Sequence, residues 1–347
     1  MIKIERAILS VYDKTGIVEL AKFLKKYNVE IISTGGTAKI LRENGIDVVE
    51  VSQFTGFPVI LDGRVKTLHP KIYGGILSIK DKEEHLKQMK ENNIQPIQLI
   101  VCNLYPFEKI LKMGKSDEEI IENIDIGGPT MIRAGAKNYK YVCVLVKPEF
   151  YEEFIKEVEK NNGCVSVDFS FKCAKEVFRL TSRYDYIISS YFSSKIEKEI
   201  LPSEVYLYLK KVQDLRYGEN PHQKGAWYRL IDREFKREIF QGKELSFNNL
   251  LDMESAYNLV LQFEEPACVI IKHTNPCGVA IGENLIDAYE KALQTDPISA
   301  FGGIAGFNRK VDKKLAEIFI ERFYEIIIAP DYEEEAIEVF KSKPNLR

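Results

Sequence analysis

A rhythm in the first half of the sequence limits the possible folds more than any other feature. Short runs rich in Val, Ile and Leu at 7–11, 29–33, 48–51, 99–104 and 141–146 alternate with segments of helical spacing. Runs that are apolar at nearly every position suit strands covered on both faces, and alternation with helices makes those strands parallel. Between them, 16–27 carries Ile17, Leu20, Ala21 and Leu24 at helical spacing, and 37–42 follows a Gly-Gly turn as a helix start does. The pattern predicts an open, doubly wound α/β domain whose ligand sits beyond the carboxyl ends of its strands. A helical pattern over 168–196 closes this domain, and the polar stretch 195–202 reads as a linker. The length of 347 residues fits two domains better than one. The second begins near residue 200 with strand-like VYLYLKKVQDL and turn-rich LRYGENPHQ, followed by a strand ACVIIKH entering a loop TNPCG. It ends in helix-like EEEAIEVFKSK and PNLR without a closing strand, which reads as an incomplete domain.

Charge narrows the function. Forty-nine basic against fifty-two acidic side chains leave a net −3, without the long-range attraction to polyanions that nucleic-acid or membrane-surface binding needs. No run approaches the length of a membrane span, and MIKIERAILSVYDK places charges where a signal peptide is apolar, so the chain reads as cytoplasmic. The six cysteines show no C-x-x-C spacing and read as buried thiols, with neither disulfides nor a metal site expected. Any anionic ligand must therefore meet local positive charge.

Two loops offer it. Ser10-Val11-Tyr12-Asp13-Lys14-Thr15-Gly16 and Ser33-Thr34-Gly35-Gly36-Thr37 each follow a strand and enter a helix, where free amides and small hydroxyls can surround a phosphate, with Lys14 supplying charge. A tight strand-to-helix turn explains the glycines equally well. Neither loop matches a dinucleotide or P-loop fingerprint. Gly63-Arg64-Val65-Lys66-Thr67-Leu68-His69-Pro70 packs cations, a hydroxyl and an imidazole into one punctuated loop, as binding loops do. Asn103-Leu104-Tyr105-Pro106-Phe107 stands at a strand's carboxyl end, with Tyr105 either a hydrogen-bond donor or a core aromatic. In Ile124-Asp125-Ile126-Gly127-Gly128-Pro129 the carboxylate precedes a helix and has capping as its plain alternative, while Lys137 at that helix's far end has a surface role as its own.

Taken in order, SVYDKTG, STGGTAK, GRVKTLHP, CNLYPF, IDIGG and AKN, then LRYGENPHQ, LSFNNLLD, IIKHTNPCGVA, ISAFGG and IIIAPDYEEEA, resemble the bifunctional purine-biosynthesis family of PurH proteins over essentially the whole chain. The resemblance implies an inosine monophosphate (IMP) cyclohydrolase domain over 1–196, with a doubly wound sheet of the methylglyoxal-synthase-like (MGS-like) class. It implies over 200–347 the N-terminal part of a deaminase-like α/β formyltransferase domain. The implied chemistry is formyl transfer from 10-formyltetrahydrofolate to 5-aminoimidazole-4-carboxamide ribonucleotide (AICAR), then dehydrative closure of formyl-AICAR to IMP. Folate is a cosubstrate; no bound cofactor, metal or nucleic-acid partner is expected, and a homodimer is.

Carried over residue by residue, the resemblance gives Ser10, Lys14, Thr34, Gly35, Gly36 and Thr37 to the substrate phosphate. Arg64, Thr67, Asn103 and Gly127 are further substrate contacts. Lys66 and Tyr105 stabilise the oxyanion, and Asp125, held beside Lys137, accepts the carboxamide proton. In the second domain Lys272 and His273 form the catalytic pair, with Arg216, Tyr217 and Asn249 as ligand contacts. Family members continue into G-x-G-x-x-S-R and S-D-A-F-F-P-F segments that complete the formyltransferase site, so within 347 residues ring closure is expected intact and formyl transfer impaired. A zinc deaminase is disfavoured, because His273 and Cys277 lack the H-x-E and P-C-x-x-C contexts. The rival from another class is an MGS-like regulatory module that binds a nucleotide without turning it over.

Overall fold

Five parallel strands form the first sheet in the computed structural model, which describes residues 1–196, 204–231 and 238–347. The strands are β1 (Arg6–Leu9), β2 (Glu30–Ser33), β3 (Val49–Glu50), β4 (Leu99–Val101) and β5 (Cys143–Leu145), in the order β3-β2-β1-β4-β5. Ala7 and Leu9 point into one core with Ile31 and Leu99, and Ile8 points into the other with Ile32, Ile100 and Val144. Burial on both faces explains the unbroken apolar runs. Helices α1 (Ile17–Lys26) and α2 (Gly35–Glu43) contribute to the first core, and α3 (Pro70–Leu77) and α4 (Gly127–Lys137) to the second. The 30-residue α5 (Val167–Ile196) bears on both, with Phe169 and Cys173 in the first core and Val177, Tyr184 and Tyr191 in the second.

The chain divides into compact units Met1–Val205 and Tyr206–Arg347, and each core cluster draws on one unit alone. The linker expected at 195–202 lies, from 197 on, outside the described residues. In the second unit a hairpin of β6 (Leu209–Asp214) and β7 (Ala226–Leu230) precedes α6 (Phe247–Val260). A four-stranded sheet follows, made of β8 (Ala267–Lys272), β9 (Asn275–Ile281), β10 (Ile304–Phe307) and β11 (Ile326–Ile328), in the order β9-β8-β10-β11.

Here the structure corrects the sequence reading: TNPCG is not a loop. Lys272 pairs with Asn275 across a two-residue turn, and the chain returns at once as β9. His273 (φ 53°) and Thr274 (φ 63°) are both left-handed, the conformation a two-residue hairpin needs, although neither is glycine. No strand follows the last helix, as expected, although Arg347 accepts from Ile327 N–H at 2.9 Å and donates to Glu325 C=O at 3.1 Å, beside β11. Four thiols, Cys102, Cys143, Cys173 and Cys268, are buried, while Cys164 and Cys277 are half-buried. Among the described residues no helix is long and apolar enough to cross a membrane, and no group of three His, Cys, Asp or Glu is placed to hold a metal.

Candidate active site

The strand order reverses between β1 and β4, which opens a crevice at their carboxyl ends. The loops after both strands meet there. Asn103, past β4, accepts from the amides of Tyr12 (2.6 Å) and Asp13 (2.9 Å) and donates to the Asp13 carbonyl at 3.0 Å, so its amide group holds the first loop in shape. Asp13 accepts from the Thr15 amide (3.0 Å) and hydroxyl (2.6 Å), which turns the chain into Gly16 (φ 69°) at the start of α1. Those bonds hold the Asp13 carboxyl below its ordinary pKa. Tyr12 and Tyr105 meet edge to face across the crevice, ring centres 5.7 Å apart.

The second loop is tied to the first. Ser10 and Thr34 hydroxyls lie 3.3 Å apart, and the Thr37 hydroxyl both donates to Val11 C=O (3.0 Å) and accepts from Val11 N–H (3.1 Å). Thr37 is buried by this role, a fastener between loops, whereas Gly35 and Gly36 are exposed at the first turn of α2. Helix α2 thus starts at Gly35, two residues before the sequence pattern placed it. Lys14 donates to the carbonyls of Val11 and Tyr12. Burial lowers its pKa below the ordinary lysine value, Asp13 opposes this, and the neighbouring Lys66 charge adds to it.

Lys66 reaches over the start of α2, its Nζ 4.0 Å from where a Cβ on Gly35 would stand. Behind it lies Asp125. Burial pushes the Asp125 carboxyl above the ordinary carboxylate range, while the amides of Gly128 and Tyr105 and the charge of Lys66 pull the other way. Gly128 N–H donates to Asp125 Oδ1 at 2.8 Å. The approach is close: a Cβ on Gly128 would stand 2.5 Å from Asp125 Oδ2, and one on Gly127 would stand 2.9 Å from Thr67 Oγ1. The Gly-Gly pair is therefore what lets α4 begin against both groups. Burial, with the Asp125 charge, raises the Tyr105 phenol, which stays protonated across the neutral range.

Two expected members make none of these contacts. Arg64 is exposed and forked onto Glu122, its Nε 3.1 Å from Oε1. Lys137 does not stand beside Asp125: it is exposed at the opposite end of α4, about 15 Å of helical rise away. Sequence reasoning missed Tyr184 on α5, whose hydroxyl oxygen accepts from Asp125 N–H at 2.8 Å. Burial pushes its phenol up to about 12. A tyrosine within a long helix carried no signal that it reaches a loop 59 residues away.

In the second unit Lys272 donates to the Phe301 carbonyl at 2.8 Å, and His273 is exposed at the turn. Asp252 on α6, also missed, accepts from the amides of His273 (3.2 Å) and Thr274 (2.6 Å). Asn249 is buried, capping α6 and donating to Glu325 Oε2 at 2.7 Å, and the Arg216 guanidinium stands 5.6 Å from the Tyr217 ring centre. Ile271 is opposite Ile304 and Ile304 opposite Ile326, which puts Lys272 and Glu325 at one end of the sheet. A cavity of about 770 Å³ lies in this unit among Trp227, Met253, Tyr257, Ile328 and Phe340, and neither Lys272 nor His273 lines it.

Comparison with known proteins adds identity to this geometry. Residues 135–347 match the model of the AICARFT/IMPCHase bienzyme family, and 16–130 match that of the MGS-like domain. The bifunctional purine biosynthesis protein PurH of Thermoanaerobacter sp. (strain X514) is 53% identical over 99% of this chain and 68% of its own length. That of Clostridium botulinum (strain Hall) is 52% identical over the same shares. A crystal structure of ForH is 33% identical with a TM-score of 0.49, over 55% of this chain and 99% of the other.

Proposed function

The chain belongs to the AICARFT/IMPCHase bienzyme family, an enzyme family of the last two steps of purine biosynthesis, and from that membership we propose where on this chain each step is done. Ring closure belongs to residues 1–196 and the crevice between β1 and β4. The observation that supports this most is the convergence there of Lys66, Thr67, Asp125, Tyr105 and the Gly127-Gly128 helix start.

The substrate is formyl-AICAR. Its phosphate lies against the exposed amides of Gly35 and Gly36 and the Lys14 ammonium, with Ser10 and Thr34 beside them. The carboxamide nitrogen attacks the formyl carbon, a C–N bond forms, and the carbonyl electrons pass to oxygen. Lys66 and the Tyr105 hydroxyl face that oxyanion, Asp125 takes the proton from nitrogen, and loss of water completes IMP. An amide nitrogen is a weak nucleophile, so holding the two groups in the attack geometry contributes much of the rate. Thr67, fixed against Gly127, positions the cationic loop. Arg64, paired with Glu122, takes no part until that pair opens.

Residues 200–347 carry the groups of formyl transfer, with 10-formyltetrahydrofolate as donor and AICAR as acceptor. Lys272 supplies charge beside the amine, and His273 removes its proton. The assembly is a homodimer acting in the cytoplasm.

The test is turnover of formyl-AICAR to IMP by the purified chain without added folate. Asp125→Asn is expected to lower kcat about a hundredfold or more with KM little changed. Full activity in that variant would overturn the assignment.

A further inference from the structure

A proton acceptor within a four-residue connection needs its backbone fixed as well as its carboxyl. Asp125 lies between the helix Asp117–Glu122 and α4, and its side chain is held from the α4 side by the Gly128 amide. Its main chain is held from the opposite side, where Asp125 N–H donates to the Tyr184 hydroxyl at 2.8 Å. Tyr184 itself has little freedom: it is 7% exposed, belongs to the core on that face of the sheet, and meets Phe107 edge to face at 6.2 Å. A phenol serving only as packing would not need an oxygen at this point, and a half-buried amide left without an acceptor costs free energy.

We propose that Tyr184 is a positioning residue for ring closure, which fixes the Asp125 backbone so that the carboxylate stands at the carboxamide nitrogen. The inference rests on the reading of Asp125 as proton acceptor. Tyr184 touches no substrate. It acts through the loop, so its loss lowers the rate of the chemical step more than the affinity for the nucleotide. The groups facing Asp125 are Lys66 from the cationic loop, Tyr73 from α3, Cys102 and Tyr105 after β4, and Tyr184. When the loop loosens, water reaches the carboxyl and the burial that raises its pKa is relieved, so the acid limb of the rate profile moves to lower pH.

Tyr184→Phe tests this beside Tyr191→Phe, a second buried phenol of α5 whose hydroxyl meets Asp117 at 2.6 Å, outside the crevice. Tyr184→Phe is expected to lower kcat about tenfold with KM within about twofold, and to shift the acid limb down. Tyr191→Phe is expected to leave both unchanged. Hydrogen exchange of the Asp125 amide, slow in the unmodified chain, is expected to quicken about tenfold in Tyr184→Phe. Unaltered kcat and pH profile in Tyr184→Phe overturn the proposal, as does fast exchange of the Asp125 amide in the unmodified chain. Full activity in Asp125→Asn would instead remove the reading beneath it, an outcome separate from either.

Discussion

Lys66 is best understood through what it does to Asp125. Burial raises the carboxyl and Lys66 lowers it, so removing the lysine raises it further. A proton acceptor must be ionised, and the acid limb of kcat/KM in Lys66→Ala is therefore expected at higher pH than in the unmodified chain, on top of a lower rate. A limb that stays in place would mean that another group titrates. Lys14 is different, since a phosphate contact far from the reacting atoms acts on bound substrate and transition state alike. Lys14→Ala is expected to weaken IMP binding about tenfold or more while kcat changes little, a split that product titration and steady-state kinetics resolve. Gly128→Ala tests the close approach directly: with a methyl 2.5 Å from Asp125 Oδ2 the loop or the helix start must move, at a cost of about 1–3 kcal/mol in stability and a larger loss in kcat.

Elements differ in how plainly the sequence announced them. The parallel strands were legible because both faces of their sheet are buried, and the crevice followed from strands leading into loops that carry Lys14 and Asn103. The β8–β9 hairpin was not legible. Its turn residues are His273 and Thr274, which carry none of the Asn-Gly or Asp-Gly signal, and the carboxylate receiving their amides comes from α6, 21 and 22 residues earlier. The partnership of Asp125 with Lys137 rests on the family resemblance alone, and an 11-residue helix carries the lysine away. Tyr184 shows the same limit, as contacts between distant elements have no local pattern. Asp252→Ala is expected to destabilise the second unit by about 1–3 kcal/mol, because two turn amides lose a charged acceptor. Adding Thr274→Gly should recover part of this by relieving the left-handed β-branched residue, and denaturant titration of both variants checks it.

At the scale of the whole molecule, each of the two units has a core of its own. Calorimetry is expected to resolve two transitions, with saturating IMP raising that of 1–196 alone, by about 2.7 kcal/mol at a hundred times its dissociation constant. A shift in both would show that the units unfold as one. The distribution of thiols offers a way to watch them. Four of the six cysteines are buried, and the remaining two fall one to each unit, Cys164 in the first and Cys277 in the second. Without any engineered residue, brief maleimide treatment of the native chain should place a fluorophore on each unit, and the separation between the two dyes, followed as nucleotide is added, becomes a molecular ruler built into the natural sequence.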